Sequence, residues 1–345
     1  MKPALQRLCL NGKEPLSRGL QVLQETQAGI CIAITEDGRI IGTVTDGDCR
    51  RALLSGHTLE SPISAIAHTN FIAVDESFPV EQAYSLMKTN SVYQIPVVDD
   101  QNRIIDLIFE KCAPAITNQA DVIILAGGKG RRMMPLTEHV PKPMLQVGGK
   151  PILARLVESL VDGGFGEICI SISYLASQIE DYFGDGTKWG CKISYVREEI
   201  ELGTAGPIKL LKQTTQRAVL VVNGDLVTRV NFSALVDFHQ NSEFDFTIGS
   251  SNYGVQVPYG VLSLNSGGKL LSVTEKPSYS FPVSAGIYVI NPAVLQLIPD
   301  NTHFSMTDLI TAAVGQGISV GAFPIHERWL DVGLPEQYSS AQRES

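Results

Sequence analysis

The sequence predicts an α/β protein of two domains: an N-terminal α+β unit of two pseudo-symmetric halves, then a larger unit built on a parallel sheet. Three observations predict this. The chain has 345 residues, 44% of them hydrophobic, which is too long for one ordinary core because domains usually hold about 100–200 residues. A strand–turn–strand unit occurs twice in the first third, at an offset of 64 residues. From Asp121 onward, short apolar runs alternate with amphipathic segments, the pattern of strand–helix–strand units.

The repeat is Ile32–Ile41 against Ile95–Ile105, with Arg39 matching Arg103. Between the copies, Val80–Met87 has helical apolar spacing. Two copies are too few for a solenoid and predict two halves closing one core. Ala113–Gln119 reads as a linker, so the boundaries fall at residues 1–114, 115–120 and 121–345. Asp121–Ala126 is a continuous apolar run, as in a strand buried on both faces. Pro151 opens a helix with Ile152, Leu153, Leu156, Val157 and Leu160 on one side, and Gly163-Gly164 ends it. Ile168–Ile172 and Ala218–Val222 are further buried strands, joined by right-handed crossovers. Leu202–Pro207 opens a helix carrying Ile208, Leu210 and Leu211.

The formal net charge of -9 argues against nucleic acid or an anionic membrane as partner, but leaves room for a local phosphate site. No signal-like or membrane-spanning run is found, and a cytoplasmic protein is expected. The six cysteines (Cys9, Cys31, Cys49, Cys112, Cys169, Cys191) form no C-x-x-C pair and read as buried thiols. The six histidines show no metal-ligand spacing and read as surface or core residues.

Leu125-Ala126-Gly127-Gly128-Lys129-Gly130-Arg131-Arg132 follows the first strand of the second unit, and Lys142-Pro143-Met144 comes soon after. Glycines here let the backbone approach a ligand and aim N–H groups at phosphate oxygens. The spacing is neither that of a P-loop nor G-x-G-x-x-G. Its cations suit a triphosphate that must lose pyrophosphate. Asn223-Gly224-Asp225 ends a buried strand, where ligands of open α/β sheets collect. Mg²⁺ takes one or two carboxylates plus phosphates and water, so Asp225 is a candidate first ligand and Asp331, in Trp329–Gly333, a candidate second. Asp308 reads as a helix cap.

The run from Gly127 to Met144 resembles the signature of sugar-1-phosphate nucleotidyltransferases, G-G-x-G-x-R-[LM]-x-P-L-T-x(4)-K-P-M, with Arg131 where many members have Thr. The resemblance extends from Asp121 to the end. It implies a Rossmann-like nucleotidyltransferase domain with a mixed, mainly parallel sheet, acting on a nucleoside triphosphate and a sugar 1-phosphate with Mg²⁺. It implies that Arg132 contacts the leaving phosphates, that Lys142 contacts the α-phosphate, and that Asp225 and Asp331 bind metal. Leu125, Ala126, Gly127, Gly128, Gly130, Gly203, Thr204 and Ala205 would line the nucleotide. Gly260, Glu275, Lys276, Ser284 and Gly286 would hold the sugar phosphate, with Ser284 standing where many members have Asn.

Gly42–Leu53 resembles the closing segment of a CBS-domain half, in which a T-x-x-D carboxylate accepts ribose hydroxyls. The resemblance implies a regulatory nucleotide at Thr45 and Asp48, and a homo-oligomer, since CBS modules often pair. The second half departs, because Ile108–Lys111 carries neither Thr nor Asp. A purely structural or dimerising CBS pair is the competing reading. Val257–Gly260, Ser284–Gly286 and Phe323–Glu327 are similar to the glucosamine-1-phosphate guanylyltransferases of legionaminic-acid pathways, which implies GTP and a hexosamine 1-phosphate. Mannose 1-phosphate with GTP, glucose 1-phosphate with UTP or dTTP, and a catalytically silent nucleotide sensor are the rivals. No residue separates guanine from uracil or thymine at this level.

Overall fold

A computed structural model describes residues 3–26, 28–90, 92–109, 120–211 and 216–343. Cys112, Glu110, Lys111 and linker residues 113–119 lie outside the described residues. The chain divides into two compact units, Met1–Ala115 and Ile116–Ser345.

The first unit contains α1 (Pro3–Gln6), β1 (Cys9–Asn11), α2 (Leu16–Thr26), β2 (Cys31–Ile34), β3 (Ile40–Val44), α3 (Asp46–Leu54), β4 (Val74–Asp75), α4 (Val80–Asn90), β5 (Gln94–Val98) and β6 (Ile104–Phe109). Its two sheets, ordered β1-β2-β3 and β4-β5-β6, share one topology, a parallel pair followed by an antiparallel pair. The repeat meets itself, because Arg39 and Arg103 form a bridge. The Ile40 N–H donates to Asn102 O at 2.9 Å beside it. A single apolar cluster runs across both halves, joining Leu16, Val22, Ile32 and Val44 to Ile104 and Leu107.

The second unit opens with β7 (Ala120–Leu125), whose first residue the sequence places in the linker. Then come a small hairpin of β8 (Gln146–Val147) and β9 (Lys150–Pro151), α5 (Ile152–Asp162), β10 (Glu167–Ile172), α6 (Ala176–Phe183) and β11 (Lys192–Arg197). β12 (Ala218–Asn223), β13 (Leu226–Thr228), α7 (Phe232–Gln240), β14 (Phe246–Gln256), β15 (Val261–Leu264), β16 (Leu270–Thr274) and β17 (Ser278–Ile290) follow. The unit closes with α8 (Met306–Gly315), β18 (Val320–Pro324), β19 (Trp329–Asp331) and α9 (Pro335–Arg343). Seven strands form the central sheet in the order β11-β10-β7-β12-β17-β14-β18. β11, β10, β7 and β12 run parallel, β17 is antiparallel to both its neighbours, and β14 pairs parallel with β18. The sheet is therefore mixed and mainly parallel.

α5 forms where its apolar spacing predicts, from Pro151 to Gly163, and buries Ile152, Leu153, Leu156, Val157 and Leu160. The helix expected after Pro207 is instead a 3₁₀ segment, Gly206–Leu210, with Leu211 beyond its end. Its bonds close three residues back, as from the Leu211 N–H to Ile208 O at 3.1 Å. Five residues are too few to offset the cost of nucleating an α-helix. None of the five described cysteines forms a disulfide with another. His239 is buried, with Nδ1 2.8 Å from Thr247 Oγ1 and Nε2 3.0 Å from Asn291 Oδ1. Asp308 caps α8 in a reciprocal pair with Ser305. Among the described residues no helix is long and apolar enough to cross a membrane.

Candidate active site

The glycine-rich loop leaves β7 at its carboxyl end, next to the end of β12, because those two strands pair in register up to Leu125 and Asn223. Gly224 permits this approach. Its N–H donates to Leu125 O at 2.9 Å, and a Cβ there would stand 2.8 Å from the same oxygen. Asp225 follows directly and so lies beside the start of the loop. β13 and β19 then pair with Leu226 opposite Asp331, which brings together two carboxylates 106 residues apart in sequence. The Val332 N–H donates to Asp225 O at 3.2 Å.

Lys142 completes the group. Its ammonium donates to Asp225 Oδ2 and is 8% exposed, whereas most lysines keep their charge in water. The loop holds it there. Gly130 takes a left-handed φ of 60°, Thr137 Oγ1 donates to Gly130 O at 2.8 Å, and a Cβ on Gly130 would meet the Lys142 Cβ at 3.1 Å. Burial raises the pKa of Asp331, and the charge of Asp225 raises it further, while Lys142 and Arg132 oppose both. Asp225, Lys142 and Arg132 thus all act electrostatically on Asp331, and Lys142 pairs with Asp225.

The residues present fit a hard cation. Asp331 Oδ1 is buried without a hydrogen-bond partner, and so is Gln337 Oε1 on α9. Both border the space beside Gly333, where a Cβ would lie 3.2 Å from Gln337 Oε1 and 3.5 Å from each Asp331 carboxylate oxygen. Buried acceptors without a donor call for a cation or its bound water. The candidate metal centre is the carboxylate pair of Asp225 and Asp331, which the pairing of β13 with β19 brings together; among the described residues no group of three or more His, Cys, Asp or Glu converges.

The two segments expected around the nucleotide also meet. Glu198, just after β11, places Oε1 2.4 Å from where a Cβ on Gly127 would be, and its Oε2 accepts from the Leu202 N–H at 3.3 Å. Ser171 Oγ donates to Oε1 at 2.7 Å. Burial raises the Glu198 pKa, and those two hydrogen bonds oppose the shift. Sequence reading missed Glu198 and Gln337. Gly128 leaves its backbone open, with no atom within 4 Å of a Cβ built on it, whereas Glu198 and Ser173 crowd the Cβ side of Gly127. Thr204 and Ala205 are less available. Thr204 Oγ1 accepts from the Met306 N–H at 2.7 Å, and the Ala205 side chain is buried in the core, so only their backbone faces remain for a base. Gly203, at φ 78°, packs against Phe304 O.

The expected sugar-phosphate residues divide. Gly286, at φ 71°, lies against the Asn223 side chain, and Trp329 Nε1 donates to Ala285 O at 2.8 Å, so this segment is built onto both carboxylate motifs. Ser284 Oγ is 2.9 Å from Tyr288 Oη. Gly260, Glu275 and Lys276 instead sit on an exposed β-arm, with Glu275 Oε2 3.1 Å from the Cβ position of Gly260. In the first unit, Thr45 and Asp48 form a capping box on α3. Asp48 Oδ2 accepts from the Thr45 N–H at 2.8 Å and from Thr45 Oγ1 at 2.7 Å, and Oδ1 accepts from Arg51.

Comparison with known proteins identifies the family. The family model described as Nucleotidyl transferase matches residues 121–345, and the CBS-domain model matches residues 6–55 and 63–111. The β catalytic subunit of mannose-1-phosphate guanylyltransferase from Drosophila melanogaster is 32% identical over 231 residues, 65% of this chain and 62% of that protein. A UTP–glucose-1-phosphate uridylyltransferase from Synechocystis is 31% identical over 240 residues, 64% and 62% of the two chains. The chain thus spans about 62% of the length of these relatives. The crystal structure of HddC from Yersinia pseudotuberculosis superposes with a TM-score of 0.52 at 28% identity, covering 65% of this chain and 99% of that one. HddC has also been solved complexed with GMP-PN. With the signature loop, the paired carboxylates and the match over residues 121–345 in agreement, the chain belongs to the nucleotidyl transferase family and carries a CBS-domain pair ahead of that domain.

Proposed function

We propose that the chain transfers a nucleoside monophosphate from GTP to a hexosamine 1-phosphate, such as glucosamine 1-phosphate, releasing pyrophosphate and forming a GDP-sugar. The observation that carries the reaction class is the convergence of Lys142 and Arg132 with Asp225 and Asp331 at the carboxyl end of the sheet. A phosphate oxygen of the sugar 1-phosphate attacks the α-phosphorus. The bond from that phosphorus to the bridging oxygen breaks, and pyrophosphate leaves with the electron pair. Asp225 and Asp331 would hold Mg²⁺, which when bound supplies neutralisation of the phosphate oxygens. Lys142 is placed to neutralise charge gathering on the α-phosphate, and Arg132 the charge on the leaving group. The loop N–H groups orient the triphosphate, and no covalent nucleophile is needed.

Glu198 supports guanine. An ionised carboxylate only accepts hydrogen bonds, and each oxygen keeps a free lone pair beyond the Ser171 and Leu202 bonds. The guanine edge offers two adjacent donors, N1–H and the N2 amino group. Uracil and thymine offer one N–H flanked by carbonyls, which a carboxylate repels. The same chemistry with mannose 1-phosphate and GTP, or glucose 1-phosphate and UTP or dTTP, is the alternative. Pyrophosphate release over a matrix of triphosphates and sugar phosphates tests the assignment. The expected optimum is GTP with a hexosamine 1-phosphate, and Glu198→Gln should lose about 10–100-fold in kcat/KM for GTP. A preference for UTP or dTTP untouched by Glu198→Gln sinks the guanine reading. Absence of turnover with every pair leaves a nucleotide sensor.

We also infer nucleotide regulation at Thr45 and Asp48, where the adjoining cavity of about 240 Å³, lined by Asp48, Arg51, Ser55 and His57, presents the Arg51 guanidinium, a group suited to phosphate. That volume is below the roughly 300–1,000 Å³ of small-molecule sites, so a nucleotide would have to displace Arg51 from Asp48. Titration calorimetry with AMP, GMP and GTP on wild type and Asp48→Ala decides this, and identical heats defeat it.

A further inference from the structure

The signature loop is fastened by two side chains that the reaction scheme does not use. Its outer limb, residues 131–141, opens with Arg131-Arg132 and ends just before Lys142. The limb's own bonds are local. The Met133 N–H donates to Gly130 O at 2.8 Å, the Leu136 N–H to Met133 O at 3.0 Å and the Glu138 N–H to Pro135 O at 3.1 Å. Met133 is buried and anchors its start, whereas Met134, Leu136, Glu138 and His139 are exposed. Among the described residues, the hydrogen bonds from this limb to elements distant in sequence all reach one place, the entrance of α6. Tyr174 Oη donates to Glu138 O at 2.7 Å, and Gln178 Nε2 donates to His139 O at 2.9 Å.

Tyr174 also touches the other end of the loop. β10 ends at Ile172 beside β7. Ser173 Cβ therefore lies 3.3 Å from the Cβ position of Gly127, and the Tyr174 N stands 3.5 Å from Gly127 O. One residue thus bridges the glycine turn and the cationic limb. Leu175, next in the chain, takes a left-handed φ of 50°. Strain of that kind in a leucine persists only where the surrounding structure over-determines it, and it clusters at functional sites.

We propose that Tyr174 is a positioning residue for the transfer reaction: with Gln178 it fixes the outer limb so that Arg132 keeps its place against the leaving phosphates. The inference rests on the role given to Arg132 above. Arg132 is exposed, so its placement comes from the backbone that carries it. Lys142 is buried against Asp225 and is held independently of the staple. Loss of the staple therefore acts through Arg132 and lowers kcat. It leaves the KM for the sugar phosphate unchanged, because Ser284 and Gly286 are carried by β17.

The test is a double-mutant cycle on the full chain, read by pyrophosphate release, with Tyr174→Phe, Arg132→Ala and the two combined. Tyr174→Phe removes a single oxygen. It should lose about 10-fold in kcat, since a misplacement of about 1 Å can cost about 100-fold in rate. In the Arg132→Ala background the same change should cost less than about two-fold, because the group it positions is gone. Tyr195→Phe is the control. It removes a bond of the same 2.7 Å length, from Tyr195 Oη to Gly184 O at the far end of α6, and should keep wild-type kinetics. Equal losses in the two backgrounds overturn the proposal, and so does a wild-type kcat for Tyr174→Phe/Gln178→Ala. Arg132→Ala at the wild-type rate removes the role of Arg132 and the proposal with it, a failure distinct from the first two. Amide hydrogen exchange on the unliganded chain gives a readout free of turnover. Residues 131–141 should exchange about five-fold faster or more in Tyr174→Phe/Gln178→Ala than in wild type, at an unchanged melting temperature. Unchanged exchange overturns the proposal whatever the substrate proves to be.

Discussion

Gly224 should tolerate no side chain, and the expected damage reaches the reaction centre. A Cβ at this position lies 2.8 Å from Leu125 O and 3.4 Å from the Ala126 Cα, both backbone atoms, so no flexible side chain can yield. Restoring ordinary contact requires about 0.6 Å of separation between the ends of β7 and β12, which breaks the 2.9 Å bond from the Gly224 N–H to Leu125 O. Overpacking of this kind costs about 1–3 kcal/mol, which lowers the melting temperature by about 2–4 °C per kcal/mol in a domain of this size. Asp225 is the next residue and moves with the strand end. Since a misplacement of about 1 Å can cost about 100-fold in rate, Gly224→Ala should lose about 10-fold or more in kcat. Gly128→Ala is the contrast, because nothing lies within 4 Å of its Cβ and its φ is not left-handed. It should melt like wild type while raising KM for the triphosphate, whose phosphates the proposed function places in that space. Thermal melts and pyrophosphate-release kinetics on both variants check this. Equal stability and equal kinetics for Gly224→Ala and wild type refute the claim that close approach of the two strand ends sets the site.

Three further outcomes follow from the same geometry. Lys142→Ala should lose about 100-fold or more in kcat with the fold intact, measured by pyrophosphate release and circular dichroism, because it removes the buried cation that donates to Asp225. Gly333→Ala fills the space between Asp331 and Gln337 and should weaken Mn²⁺ binding, read by electron paramagnetic resonance without substrate; unchanged affinity would detach Gln337 from the metal centre. Burial lowers the His239 pKa, so the unfolded chain binds its proton first as pH falls. Stability is then full above about pH 6.5 and declines below it, and urea midpoints for wild type against His239→Gln should converge on acidification.

Much of the fold was legible because its signals are local. The continuous apolar runs at Asp121, Ile168 and Ala218 had to be strands buried on both faces, and β7, β10 and β12 are adjacent and parallel in the sheet. The repeat was legible as a repeat, and the bridge between Arg39 and Arg103 makes its symmetry physical. The segment after Pro207 was misread because apolar spacing at Ile208, Leu210 and Leu211 says nothing about length, and one 3₁₀ turn satisfies the same pattern.

Of the candidate site, Asp225 and Asp331 could be paired from motif order, but the reason they meet is the antiparallel pairing of β13 with β19, two three-residue strands with no periodicity to read. Glu198 was illegible because it lies in an acidic stretch, Glu198-Glu199-Ile200-Glu201, where solvated charge is the default. Only the space above Gly127 distinguishes it from its neighbours. A hydrogen-bonding pair in sequence also conceals competing roles. Thr45 with Asp48 and Ser305 with Asp308 have the same spacing and form the same capping box. Ser305-x-x-Asp308 needs no ligand to explain it, so Thr45-x-x-Asp48 needs none either until a titration heat distinguishes them. Position on the fold separates the two: the first-unit box borders a cavity with Arg51 and His57, and that neighbourhood, not the Thr–Asp spacing, is what a regulatory nucleotide would recognise.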